Sequence, residues 1–276
     1  MRRSIGVVWC MTPIRICVAG ADGRMGRTLL EEAVDWRDIE VVGAITAPNS
    51  PNLGKRLGAL SLRPENVELV GPSRIDEAVR DADVYVSFTT PKAEVENLPQ
   101  VAHLGKRIVV GTTGLSEDQR KAIIEAVRDK VPMVISPNFG IGVNILFRIL
   151  ELSRLFPEGY DFSVLEIHHT GKADAPSGTA KKLSSLLQDI RGYSKTVHGR
   201  EGLSKRSKEE LEVASLRLGG VPGIHEVLIA GPYELIRIEH TAFSRRLFAQ
   251  GALLAVRWIH RQEKPGIYDM RDVLKA

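Results

Sequence analysis

Three observations predict an α/β protein in two parts from the 276-residue sequence. Near the start a short apolar strand runs into a glycine turn and then a helix. Strands and helices keep alternating to about residue 138, which specifies a parallel sheet covered on both faces. Past residue 140 the strands lengthen and turns such as Gly219-Gly220, Pro222-Gly223 and Gly231-Pro232 punctuate them, as in a separate α+β part.

The first strand, Ile-Arg-Ile-Cys-Val-Ala, covers 14–19. Gly20, Ala21, Asp22, Gly23, Arg24, Met25 and Gly26 follow, and a helical pattern takes up 27–34. Strand, glycine turn and helix in this order direct free backbone N–H groups and a helix dipole at one point, which suits a dinucleotide pyrophosphate. The spacing is G-x-x-G-x-x-G rather than the commoner G-x-G-x-x-G. Glycine turns also join strands to helices without any ligand. A second apolar strand at 39–45 completes the β-α-β unit and favours the nucleotide.

Further strands are expected at 83–88, 107–110 and 131–135, with helices at 93–104 and from 116 to about 130. Ser116 and Gln119 form a capping-box pattern at the start of the latter. Parallel sheets bind ligands beyond the carboxyl ends of their strands. That makes candidates of Thr89, of Gly111, Thr112 and Thr113, and of Ser136, Pro137, Asn138 and Phe139. In the second part the pattern predicts a helix at 143–156, a strand at 162–167, a strand-rich stretch at 213–243 and a last helix at 245–261. The highly charged 191–210 segment mixes both signs and reads as a solvated loop running into an exposed helix.

The chemistry is densest at 166–180, Glu-Ile-His-His-Thr-Gly-Lys-Ala-Asp-Ala-Pro-Ser-Gly-Thr-Ala. His168, His169 and Lys172 lie just past a strand, and Ser177, Gly178 and Thr179 open a helix. Cations facing a helix N-terminus form a receptor for a carboxylate. The structural alternative is an N-cap at Ser177 with His168 as a hydrogen-bonded core residue. Several polar groups converging on one turn outweigh it.

Composition narrows the partners. Apolar residues make up 43% and charged residues 26%, as in an ordinary globular protein. A net charge of +4, with no aromatic residues among the charged ones beyond Tyr193, gives no basis for nucleic-acid binding. Cys10 and Cys17 have no disulfide or metal-ligand spacing, so no metal is expected and a reduced, cytoplasmic setting is. No apolar run reaches the length of a membrane span. Residues 1–10 imitate the start of a signal peptide, but a nucleotide-binding strand follows at once. Met11 looks the better start, with 1–10 an extension or loose arm.

Taken together these motifs resemble the 4-hydroxy-tetrahydrodipicolinate reductase (dihydrodipicolinate reductase) family. They are Gly20 to Gly26, Gly111-Thr112-Thr113-Gly114, Asn138-Phe139-Gly140-Ile141-Gly142-Val143-Asn144 and the 166–180 cluster. The resemblance implies a Rossmann-type dinucleotide-binding domain at 11–139, completed by 244–276. It also implies a substrate-binding and oligomerisation domain at 140–243, built on a mixed sheet. It further implies NADPH and/or NADH as cofactor, a small dicarboxylate as substrate and a homo-oligomer, a tetramer in the family. On that resemblance His168 is expected to be the general acid or base, Lys172 a proton donor that also touches substrate, and His169, Ser177, Gly178 and Thr179 carboxylate ligands. Asp174 orients Lys172 or its loop.

Two departures from the family pattern stand out. Ser87 replaces a frequent Asp. The turn after the second strand begins Thr46-Ala47, where an acid usually binds the adenosine ribose. Without that acid NADPH should be at least tolerated, with Arg24, Lys55 or Arg56 near its 2′-phosphate; Thr46 or Ala47 would face the ribose. The rival readings are a related two-domain NAD(P)-dependent amino-acid or semialdehyde dehydrogenase and a non-catalytic nucleotide sensor. Neither needs the 166–180 cluster.

Overall fold

The computed structural model describes residues 12–275, so the expectation about residues 1–10 and Met11 lies outside the described residues. The chain forms two compact units. One ends at Ile135 and resumes at Ala252; the other is Ser136–Gly251.

In chain order the first unit holds β1 (Ile14–Ala19), α1 (Arg24–Ala33), β2 (Ile39–Ile45), β3 (Leu69–Val70), α2 (Ile75–Val79), β4 (Val84–Ser87), α3 (Pro91–His103), β5 (Arg107–Val110), α4 (Glu117–Val127) and β6 (Pro132–Ile135). The second holds α5 (Ile141–Leu150), β7 (Asp161–His168), α6 (Gly178–Arg191), β8 (Lys195–Val197), β9 (Glu210–Arg217), β10 (Gly223–Ala230) and β11 (Leu235–Ala242). The chain passes back within α7 (Arg246–His260) and ends on β12 (Gly266–Tyr268) and α8 (Met270–Val273).

The seven strands of the first unit run in the order β12-β6-β5-β4-β1-β2-β3, every pair parallel. This is the doubly wound Rossmann order, extended by one strand. Residues 16–19 of β1 are wholly buried, as are Ile108, Val109 and Val110 of β5. A parallel strand covered on both faces is apolar throughout, which is why these runs do not alternate. The second sheet, β11-β10-β7-β9-β8, is mixed: β7 pairs parallel with β9 and antiparallel with β10. Its core of Phe162, Val164, Val213, Val227 and Ile229 packs with Leu146 of α5 and Leu183 and Leu187 of α6.

Three local expectations are corrected. Helix α1 starts at Arg24 rather than 27, because Gly23 holds the extended N-cap conformation within the glycine turn itself. The helix expected over 143–156 is α5 followed by a 3-10 turn, Glu151–Leu155, tightened ahead of Pro157. No exposed helix forms in 191–210. Gly199 and Gly202 take left-handed φ of +89° and +64°, and the charges pair across strands instead, Lys195 and Arg200 on Glu210. The capping box at Ser116 and Gln119 forms as read.

At the glycine turn α1 passes so close to β1 that a Cβ on Gly26 would run into the Gly20 carbonyl and the Ala21 Cα. Gly26→Ala should therefore cost about 1–3 kcal/mol by overpacking. A thermal melt checks this; a melting temperature equal to wild type would show that the turn can yield.

Candidate active site

The candidate nucleotide site lies at the carboxyl ends of β1, β2, β4 and β5. Gly20 leaves β1 with φ +73°, and a side chain there would collide with the Phe88 carbonyl. The first turn of α1 has neither a side-chain cap nor an acidic residue, so its N–H groups and dipole are left for an anion. Gly23 and Arg24 are exposed, Met25 is half-buried and Ala21 is buried. The cradle fits a pyrophosphate, because the backbone N–H groups at the start of α1 are open to the anion.

Two carboxyl groups organise this edge. Asp22 reaches from the glycine turn to the turn after β2, where it accepts from Thr46 Oγ1 at 2.5 Å, Ser50 Oγ at 2.5 Å and Asn52 Nδ2 at 3.2 Å. Partial burial works to raise the Asp22 carboxyl, but these hydrogen bonds outweigh it and hold it below the usual range. The turn itself holds no acid, as read from Thr46 and Ala47. The acid arrives from the preceding loop, and Thr46 is 2% exposed with its hydroxyl turned onto it.

Glu94, fully buried in α3, accepts from Ser87 Oγ and Thr89 Oγ1, each at 2.6 Å, and from Thr112 Oγ1. The Thr89 N–H donates to Thr112 Oγ1 at 2.8 Å. One carboxyl group thereby ties the loop after β4 to the loop after β5. Its second oxygen is buried with no hydrogen-bond partner among the described residues. Sequence reasoning missed Glu94. The available signal was Ser87, a departure at the same spot.

In the second unit β7 ends at His168 and the chain turns through His169 and Lys172 to the start of α6. Glu166 is fully buried beneath this turn. It accepts from Arg217 Nη1 at 3.0 Å and Nη2 at 3.1 Å and from the Ser177 N–H at 3.3 Å, and it bonds His168 Nδ1. Arg217 also holds the carbonyls of Lys172 and Asp174, fixing the loop between the two elements. Lys172 Nζ donates to Asp174 Oδ1 at 2.6 Å, the orienting pair expected. His169 is half-buried on the turn.

Ser177 is the N-cap of α6, its Oγ accepting from the Ala180 N–H at 3.2 Å, and it contacts His225 Nε2 at 3.0 Å. That hydroxyl is spent internally, which leaves the first-turn amides of Gly178 and Thr179 for an anion. A Cβ on Gly178 would meet nothing within 4 Å, so the space before the helix is open. Asn138 Nδ2 donates to Thr179 Oγ1 at 3.0 Å, joining the loop after β6 to this helix start. Ser136 and Asn138 bond each other, Pro137 is exposed and Phe139 is buried.

Burial, foremost, pulls the His168 imidazole below its ordinary value against the raising influence of Glu166, with Lys172 and Arg217 adding to the fall. For Glu166 burial works upward, yet the donors and charges around it prevail and its carboxyl stays below the usual range. His225 is driven down to about 3, mostly by burial and then by the charge of His168. Glu166, His168 and His225 lie near enough together to ligate a metal ion. Glu166 is already shared by Arg217, Ser177 and His168, so the trio is better matched to holding a histidine in one orientation. With Nδ1 on a carboxylate, Nε2 is the His168 nitrogen left to exchange a proton.

Comparison with known proteins points to one family. The family model described as dihydrodipicolinate reductase, N-terminus, matches residues 14–139, and the C-terminus model matches 142–274. The chain is 40% identical over 266 residues to the 4-hydroxy-tetrahydrodipicolinate reductase of Methanopyrus kandleri, covering 95% of this chain and 96% of that protein. It is 42% identical over 267 residues to the enzyme of the same name from Rubrobacter xylanophilus, covering 95% and 99%. Its fold is similar to that of a dipicolinate-bound dihydrodipicolinate reductase from Paenisporosarcina sp. TG-14. That match has a TM-score of 0.73 at 23% identity, over 94% of this chain and 98% of that one.

The histidines make stability acid-sensitive. His225 and His168 bind protons less readily folded than unfolded, so stability is lost as pH falls below about 6.5, the unfolded value. For His225 the loss continues toward pH 3, at about 1.4 kcal/mol per pH unit. Glu166, held low, adds its own loss below the ordinary carboxylate range. Melting temperatures should be level from pH 7 to 9 and fall steadily below 6.5, and His225→Asn should flatten that slope. A wild-type profile level down to pH 5 would contradict the buried neutral histidines.

Proposed function

This chain belongs to the dihydrodipicolinate reductase family, and on that premise we propose that it reduces 4-hydroxy-tetrahydrodipicolinate to tetrahydrodipicolinate. It is an NAD(P)H-dependent oxidoreductase of lysine and diaminopimelate biosynthesis. One observation carries the residue-level reading: Glu166, His168, Lys172 and the α6 N-terminus are locked into one hydrogen-bonded assembly at the end of β7.

The residues proposed to hold the nucleotide are Gly20 to Met25, Thr46, Thr89, Gly111, Thr112, Thr113 and Ser136 to Phe139. When bound, the reduced nicotinamide supplies hydride to a carbon of the substrate ring. Everything else falls to the chain's own groups. The amides of Gly178 and Thr179, with His169, bind substrate carboxylate and orient the ring. Lys172, held by Asp174, binds substrate and donates a proton from its ammonium group. His168 takes up or returns a proton at Nε2, with Glu166 keeping the other proton on Nδ1. The substrate hydroxyl leaves first, as water with a proton from the neighbouring ring carbon, and the double bond so formed takes up the hydride and the donated proton.

Assembly into a homotetramer belongs to the same proposal. The helices of the second unit pack on one face of its sheet. On the other, Leu165, Ile167, Ile224 and Leu228 are half-buried and Leu216 is 48% exposed. Ile224 pairs with Ile167, and Ile167 with Leu216, making a continuous apolar strip of the kind that marks an interface. Among the described residues no helix is long and apolar enough to cross a membrane. A reduced cytoplasmic setting accords with the unpaired, buried Cys17.

Two measurements test these assignments. Lys172→Ala and His168→Ala should each lower kcat by about 10²–10⁴-fold while nucleotide affinity stays near wild type. An unchanged kcat in either variant removes that residue from the proton chemistry. Light scattering should give the mass of a tetramer, reduced by Leu228→Glu. A monomer at micromolar wild-type protein would refute assembly through this sheet.

A further inference from the structure

We propose that Asp22 is the carboxylate that reads the adenosine ribose, and that through it the enzyme discriminates against NADPH in favour of NADH. This deepens the reductase assignment and rests on the reading of the glycine turn as a dinucleotide site.

In a doubly wound sheet the adenosine ribose lies between the glycine turn and the end of the second strand, where an acid accepts from the ribose hydroxyls. Here β2 ends at Ile45 and Thr46 follows. Neither Thr46 nor Ala47 carries an acid, and Thr46 is closed off by burial. The carboxylate found at this place belongs to Asp22, two positions into the glycine turn. Thr46, Ser50 and Asn52, all on the β2 side, converge on it. A carboxylate offers about four acceptor sites, and three are taken from the protein side. Asp22 is only half-buried, so its remaining acceptor capacity and its charge are open to a ligand.

The three hydrogen bonds do two things. They fix the carboxylate rather than leaving it to swing away from an incoming phosphate, and they favour its ionised form. A ribose 2′-hydroxyl can donate to a fixed anion; a 2′-phosphate offers no proton and adds like charge. Of the nearby cations, Lys55 Nζ is exposed and donates to Asn52 Oδ1 at 3.3 Å, the same side-chain amide whose Nδ2 donates to Asp22. Arg24 and Arg56 are exposed. Screened surface charges of this kind do not offset a negative charge within the ribose site itself. Thr46, the residue that replaces the usual acid, thus acts as a positioning residue for Asp22. Thr46→Asp would set a second carboxylate against the first instead of installing a ribose ligand.

The test measures NADH and NADPH dissociation constants by nucleotide fluorescence, alongside kcat/KM with both cofactors and the cyclic dicarboxylate. It compares wild type with Asp22→Asn, Asp22→Ser and Thr46→Val. Wild type should bind NADH at least about tenfold tighter than NADPH. Both Asp22 variants should move the ratio of dissociation constants toward NADPH by about tenfold or more, mainly through weaker NADH binding with Asp22→Ser. Thr46→Val, which frees the carboxylate, should move it the same way by less. Equal or tighter NADPH binding by wild type, or Asp22 variants with an unmoved ratio, overturns the proposal. Binding of both nucleotides without turnover of the cyclic dicarboxylate would count against the reductase assignment instead, and the Asp22 ratios would still decide the ribose question.

Discussion

A carboxyl group removed from water must be given donors, and the loops that carry this protein's chemistry are built around that constraint. Two such groups are wholly buried, Glu94 on α3 and Glu166 in β7, and a third, Asp22 in the glycine turn, is half-buried. Asp22 gathers the turn after β2, Glu94 joins the loops after β4 and β5, and Glu166 joins the end of β7 to the start of α6. Each is bonded by three or more donors, which is what makes its burial tolerable. Removing any one would leave hydroxyls, amides or a guanidinium unsatisfied in a place with little water, a cost of about 1–3 kcal/mol for each neutral group and more for a charge.

The clusters divide the work differently in the two units. Around Asp22 and Glu94 the donors are hydroxyls and an amide, and at Asp22 they hold a negative charge in place without cancelling it. Around Glu166 Arg217 brings a full positive charge, and the pair is close to neutral. Balanced in this way, Glu166 can sit wholly buried against His168 without forcing that histidine to keep a proton. Lys172 is balanced in the same way by Asp174, so the positive field before Gly178, where the space is open, comes from the helix dipole of α6.

Much of this was legible in the sequence because it depends on local order. Strand, glycine turn and helix at 14–34 are contiguous, and so are the N-cap at Ser177 and the capping box at Ser116, so the chain itself displays them. The second strand pattern at 162–167 likewise shows in its alternation. What stayed hidden depends on residues far apart in sequence. Asp22 meets Ser50 and Asn52 from 28 and 30 positions away, and Thr112 meets Glu94 from 18. Arg217 lies 51 positions from Glu166 on a neighbouring strand. The acid missing from the β2 turn and the Ser at 87 both looked like losses. In each case the fold supplies a carboxyl group from another element, which no spacing rule could reveal. The 191–210 segment failed for the converse reason: its charges suit an exposed helix locally, but the β8–β9 pairing offers Lys195 and Arg200 a partially buried partner in Glu210.

Carboxyl clamps at strand ends also bear on how a weakly sticky set of groups can bind two small polar molecules. Ordering a loop on binding costs free energy that must come out of the interaction, and a loop already held by its own hydrogen bonds avoids that cost. The amides of α1 and α6 are fixed by helix geometry, the hydroxyls of Thr46, Thr89 and Thr112 by carboxyl groups, and the ammonium of Lys172 by Asp174. None of these contacts needs to be strong for the ligand to gain from it. Catalysis by polar groups depends on their being aimed before charge develops, since a dipole that must first turn yields less than one already in place. The buried carboxyl groups are therefore a structural expense that returns as preorganisation, and the loops they hold are those at the strand ends where its ligands would lie.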